Sequence, residues 1–151
     1  TSIDLFNLAR PADINLNLVV SDNQKKIVVY QNKDLGKMNT INLKYASYYL
    51  KNYNVRESSS FSLNNILEKY YFKNKKFEFI NIDAEGSEYT ILKNIDFKKY
   101  TFKIILVETH KWNSFTKQES DKIHSLLQSH DYNFLKNLGE TSIYENNSWK
   151  N

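Results

Sequence analysis

Four side chains are spaced for chemistry in two pairs: Asp83 with Glu85, and Glu108 with His110, each two residues apart. Two carboxylates at such a spacing can bind a metal, act as a base, or hold the donor groups of a ligand. A neutral imidazole near its ordinary pKa is a base for a hydroxyl group. Asp83 and Glu85 also have plainer readings, as helix-capping or dipole-favoured carboxylates. His110 equally suits a structural or surface place.

The elements around both pairs make them candidates. Phe77, Phe79, Ile80 and Ile82 form an apolar, aromatic and β-branched run that stops at Asp83, which predicts a buried strand with an acidic tip. Gly86 permits a tight turn, and Ser87 can cap a helix whose Tyr89, Ile91, Leu92 and Ile95 make an apolar face. Phe102 to Val107 predicts a second buried strand, ending in Glu108-Thr109-His110. In open α/β sheets the carboxyl ends of strands open onto the ligand crevice, so both pairs stand where ligands bind.

Earlier in the chain, Ser2 to Ala9 predicts a short helix ended by Arg10-Pro11. Ile14 to Val20 predicts a strand stopping at Ser21-Asp22. Asn23, Gln24 and Lys25 predict a turn, and Lys26 to Tyr30 a strand antiparallel to the first. Asn42 to Leu50 reads as helical, with its tyrosines forming a semi-exposed surface, and Val55 to Phe61 as a short strand. Ser62 caps a helix to Tyr71 whose stripe is Leu63, Ile66, Leu67 and Tyr70. After His110, Trp112 to Thr116 reads as a loop and Gln118 to His130 as a helix with Ile123, Leu126 and Leu127 inward. Strands at Tyr132 to Leu135 and Thr141 to Tyr144 follow, separated by a turn at Gly139, and Asn146 to Asn151 is a polar tail. The order β, α, β, α, β, β after Phe77 predicts an α/β fold with a mostly parallel sheet and an antiparallel edge.

The stretch Asn81-Ile82-Asp83-Ala84-Glu85-Gly86-Ser87-Glu88, followed by Ile104 to His110, resembles the signature of the FkbM-type S-adenosylmethionine-dependent methyltransferases. That family usually shows Lys-Ile-Asp-Val-Glu-Gly-x-Glu and a later strand ending in Val-Glu-x-His. Asn81 stands in place of the usual Lys, and Ala84 in place of Val. The Ser21-Asp22 turn and Ser62-Leu63-Asn64 also resemble the family, over about residues 2 to 145. The resemblance implies a Rossmann-like class I methyltransferase sheet, read as a single partial domain over 1–151. The N-terminal strands and the Gly-rich turn that hold part of the cofactor would lie before Thr1.

The same resemblance implies S-adenosylmethionine as cofactor and O-methylation of a sugar or other hydroxylated small molecule. Asp83 would sit beside the transferred methyl group or the substrate hydroxyl, and Glu85 would position substrate, cofactor or a metal. Glu108 would help hold substrate, and His110 would be the base. Ser21 and Asp22 would meet the adenine ring, with Asp22 accepting from its amino group. Two other readings stay open. One is a metal-dependent nuclease or hydrolase using Asp83 and Glu85, which needs further carboxylates on a later helix; Asp121 and Asp131 are available but lack a convincing flanking pattern. The other is a non-catalytic α/β binding domain.

Composition narrows these classes. The chain has 151 residues, 40% hydrophobic and 15% aromatic, which suits one globular domain. Without Cys there is neither a disulfide framework nor a thiolate metal site. No apolar run approaches the roughly 18 residues of a membrane span and no leader opens the chain, so a cytoplasmic protein is expected. The net charge of +4 comes from short clusters such as Lys25-Lys26, Lys73 to Lys76 and Lys98-Lys99, which read as solvated turns, and no nucleic-acid partner is expected. His124 and His130 read as structural. Gly36, Gly86 and Gly139 are isolated, so no dinucleotide-type Gly-rich loop is present.

Overall fold

The computed structural model describes residues 2–22, 25–33, 38–71, 76–110 and 113–149. The turn at Asn23 and Gln24, Gly36, Lys73 to Lys75, Trp112 and the last two residues lie outside the described residues. Eight strands and five helices are described: α1 (Ser2–Ala9), β1 (Val19–Ser21), β2 (Lys25–Asn32), β3 (Asn39–Thr40), α2 (Leu43–Tyr49), β4 (Tyr53–Ser62), α3 (Leu63–Tyr71), β5 (Lys76–Ile82), α4 (Glu88–Leu92), β6 (Thr101–Glu108), α5 (Ser114–Ser129), β7 (Tyr132–Leu138) and β8 (Thr141–Asn146). None of the helices is long and apolar enough to cross a membrane.

The strands form two four-stranded sheets, ordered β1-β4-β2-β3 and β5-β6-β8-β7. Both are mixed. β1 runs parallel to β4 and β5 parallel to β6, while every other pair is antiparallel. The expectation of one mostly parallel sheet is therefore corrected. In the second sheet the reason is local: Gly139, at φ +59, turns β7 into β8, and β8 lies against the free side of β6. In the first, the ten-residue β4 takes β1 on one edge and β2 on the other, so β1 and β2 do not form the predicted hairpin. The strand predicted from Ile14 is regular only from Val19.

The core lies on the second sheet. Ile105 and Val107 of β6, fully buried, pack with Leu92 of α4, Leu127 and Ile123 of α5, and Tyr144 of β8. Burying one such aliphatic side chain contributes about 1.5 to 3 kcal/mol. Tyr132 is buried among them and satisfies its hydroxyl on the Phe102 backbone, donating to the carbonyl at 2.9 Å and accepting from the amide at 3.1 Å. His130 stacks on Phe97, and His124 meets the Phe134 and Tyr144 rings, both structural placements.

β5 departs from expectation. Only Ile82 is buried in it, and Phe79 is 66% exposed. One edge of β5 pairs with β6; among the described residues its other edge pairs with no strand. That edge and β1 border a common cleft of about 460 Å³, lined by Val19 and Val20 on one side and Ile80, Asn81, Ile82 and Asp83 on the other.

Candidate active site

The acidic turn is built on two successive residues with positive φ, Glu85 at 49° and Gly86 at 89°. Left-handed backbone at a non-glycine residue costs about 1 kcal/mol, so something must hold it. Glu88 does so from inside. Its carboxylate accepts from the Ala84 amide at 2.7 Å and from the Gly86 amide at 3.1 and 3.2 Å. The Ser87 side chain makes no capping bond, so the expected cap is replaced by the carboxylate one residue later. From outside, Thr40 donates to the Glu85 carbonyl at 2.7 Å, and the Asn42 amide donates to the Gly86 carbonyl at 2.8 Å.

Asn42 is also the N-cap of α2, accepting from the Lys44 and Tyr45 amides at 3.0 and 3.2 Å. This capping aims Tyr45 inward, where it is 1% exposed. Its ring lies so close to Gly86 that a Cβ there would sit 2.5 Å from Tyr45 Cδ2, which is why the turn needs glycine twice over, for space and for φ. The Tyr45 hydroxyl donates to Glu85 Oε2 at 2.8 Å and lies 3.3 Å from His110 Nε2.

His110 is buried. Its Nε2 is 3.1 Å from Glu108 Oε2 and its Nδ1 is 3.4 Å from Glu140 Oε2 in the β7–β8 turn. Ser120 of α5 donates to its carbonyl at 2.7 Å, and Thr109 closes the strand end on Glu140 through a 2.7 Å backbone bond. The cavity beside the imidazole measures about 20 Å³, room for about one water.

Asp83, Glu85, Glu108 and His110 are thus brought together, joined by Glu88, Glu140 and Tyr45. The electrostatics follow from crowding carboxylates in a partly dry site. Burial, then the Glu108 charge, raises the Asp83 pKa. Burial raises that of Glu85, with Glu108 and Asp83 adding to it and the Tyr45 hydrogen bond opposing. Burial pushes Glu88 to about 7 against the pull of its backbone amides. For His110, burial alone would lower the pKa, but contact with Glu108 and the charges of Glu108 and Glu140 outweigh it and raise it. Burial, followed by the bond to Glu85, raises the Tyr45 pKa, so that the hydroxyl stays protonated.

Two trios, Glu108 with His110 and Glu140, and Asp83 with Glu88 and Glu108, each bring donor-type atoms within 4.8 Å. In the first, both ring nitrogens face carboxylates, a charge pattern that an imidazolium satisfies. In the second, the Glu88 oxygens are taken up by backbone amides. Ser21 and Asp22 stand apart from this cluster. Ser21 is buried and donates to Asp22 at 3.1 Å, while Lys25 pairs with Asp22 at 2.9 Å and holds its carboxyl below the usual range.

Sequence reasoning missed Tyr45 and Glu140 as members of the site and weighed Glu88 equally as a surface residue, whereas it is buried. Tyr45 carries no local signal, because its partners lie 40 and 65 residues away. Glu88 could have been found from its place just past a glycine turn, where a carboxylate can reach back to free amides.

The described residues thus gather five carboxylates and one imidazole at the carboxyl ends of β5 and β6, beside a cleft large enough for a small-molecule ligand. The chain matches the Methyltransferase FkbM domain over residues 2–134. No curated protein and no solved structure matches it.

Proposed function

The chain belongs to the FkbM methyltransferase family, and from that premise we propose that it transfers a methyl group from S-adenosylmethionine to a hydroxyl of a sugar or similar small molecule. The observation that carries the reading is the convergence of Asp83, Glu85, Glu108 and His110 beside the 460 Å³ cleft. The residues present suit such a cofactor. Asp83 on the cleft lining favours a cationic sulfonium, and the apolar walls of Val20, Ile80 and Ala84 favour a flat heterocycle. In this reading β5-β6-β8-β7 belongs to a Rossmann-like sheet of the class I methyltransferase kind, and residues at its strand ends would hold the cofactor.

When bound, the cofactor supplies an already activated methyl group, so the chain has to align the acceptor and remove its proton. Asp83, at the rim of the cleft, holds the cofactor and the acceptor hydroxyl together. Glu85, fixed by Tyr45 and by the clasp from Thr40 and Asn42, orients the acceptor. Glu108 places His110, whose raised basicity makes it the final home of the proton. Ser21, the last residue of β1, and Asp22 just after it would meet the adenine.

The test is transfer of tritiated methyl from S-adenosylmethionine to a panel of monosaccharides, nucleotide sugars and simple polyols, with wild-type protein and Asp83→Asn. Label in at least one hydroxylated acceptor, reduced about 100-fold or more in the variant, is expected. Transfer unaffected by the substitution would remove Asp83 from the site, and label only in amines would overturn the O-methylation reading.

A further inference from the structure

His110 is the imidazole of the cluster, its pKa raised by the carboxylates around it, yet its position denies it contact with a substrate. It is buried, with about 20 Å³ of space at its side. Glu85, by contrast, is half-buried at the tip of the turn beside Asp83, and one hydroxyl stands between the two: Tyr45, 2.8 Å from Glu85 Oε2 and 3.3 Å from His110 Nε2. We propose that Tyr45 couples Glu85 to His110, so that a proton taken from the methyl acceptor at Glu85 passes through the Tyr45 hydroxyl to the buried imidazole. The proposal rests on the methyltransferase reading above.

The step balances without another reactant. The acceptor oxygen exchanges its bond to hydrogen for a bond to the methyl carbon, and the electron pair of the broken methyl bond stays with the leaving sulfur. The proton goes to the Glu85 carboxylate. Glu85 then gives a proton to the Tyr45 oxygen while Tyr45 gives its own to Nε2 of the neutral His110 ring, whose single ring hydrogen is on Nδ1 facing Glu140. The hydroxyl neither gains nor loses a proton overall, as suits a phenol whose ionisation is disfavoured. The imidazolium so formed lies between Glu108 and Glu140.

Three features fit Tyr45 for this place rather than for packing alone. Its backbone is fixed by the Asn42 cap, its ring lies close on Gly86, and it meets the Tyr49 ring at 4.5 Å between centroids. The hydroxyl therefore has little freedom except to turn between its two partners. The charged groups that bear on His110 come from every side: Glu108 on β6, Glu140 in the β7–β8 turn, Asp83 after β5, Glu88 on α4, and Glu119 of α5 lining the same small cavity. Lys44 of α2 stacks over Phe115, which borders that cavity too. The carboxylates favour the imidazolium, so coupling to Glu85 must be measured as a difference.

The experiment is an NMR titration of the His110 ring nitrogens in the wild type, Glu85→Gln, Tyr45→Phe and the double variant, each with a calorimetric titration of S-adenosylhomocysteine. Tyr45→Phe keeps the ring, and Tyr49→Phe, whose hydroxyl serves Asn113 instead, is the packing control. Glu85→Gln is expected to lower the His110 midpoint by about half a pH unit or more in the wild-type background, and by less than about half as much when Tyr45 is Phe. Tyr49→Phe is expected to leave both the midpoint and the S-adenosylhomocysteine affinity in place. Equal displacement with and without the hydroxyl, in proteins that bind S-adenosylhomocysteine, would overturn the relay alone. Failure of the wild type to bind it would overturn the catalytic role of the relay together with the methyltransferase reading.

Discussion

Glu88 carries more of the site than its place at the start of a short helix suggests. It is the one carboxylate wholly inside the turn, and three amide contacts on it replace the hydration that burial removes. Burial still raises its pKa from the ordinary 4.5 to about 7. An acid whose pKa is raised on folding binds its proton more tightly in the native chain. The fold is therefore stabilised at low pH, and stability falls as pH rises from about 4.5 through about 7. That displacement is worth about 3 kcal/mol. The raised pKa of His110 acts in the same direction, at higher pH. Urea unfolding at pH 5 and pH 8 is expected to show wild-type protein losing stability across this range, and Glu88→Gln losing about half as much or less. An identical loss in both would remove Glu88 as the source.

At the scale of elements, two asparagine caps make a controlled comparison. Asn113 begins α5 with a reciprocal capping box, accepting from the Phe115 and Thr116 amides at 3.0 Å, and its amide serves Tyr49. Asn42 caps α2 and also grips the Gly86 carbonyl. Replacing either by Ala is expected to cost about 1 kcal/mol, read as a fall in melting temperature. Only Asn42→Ala is expected to displace the His110 titration, because only that cap holds Tyr45 and the acidic turn. An equal displacement by Asn113→Ala would place the control of His110 in general packing.

The same elements show what a single sequence can carry. The stripe Leu63, Ile66, Leu67 and the spacing of Ile123 and Leu127 fix α3 and α5, and the apolar run before Glu108 fixes β6, because periodicity reports the face that a segment buries. Ser62 caps α3, accepting from the Asn65 amide at 3.2 Å, as its residue type predicts. Pairing is another matter. Nothing in Val19 to Ser21 says that its neighbour is β4, some 40 residues on, and nothing in Phe79 says that its side chain meets solvent. The four residues expected at the site were legible because each lies at the end of β5 or β6 or within three residues after it, where an apolar run stops. Tyr45 was not, since its role comes only from where α2 docks.

At the scale of the whole molecule, the two sheets meet around a cleft that has β1 on one wall and β5 on the other. The carboxyl end of β5 opens into it at Asp83, and the ends of β5 and β6 bring the acidic pair against Glu108 and His110. Family membership and this arrangement together make methyl transfer the central claim. Its most direct test is calorimetric titration of S-adenosylhomocysteine into wild-type protein and Asp83→Asn. Saturable one-to-one binding, weakened about 10-fold or more by the substitution, is the predicted result. Absence of binding by the wild type, or equal binding by both, would contradict the account.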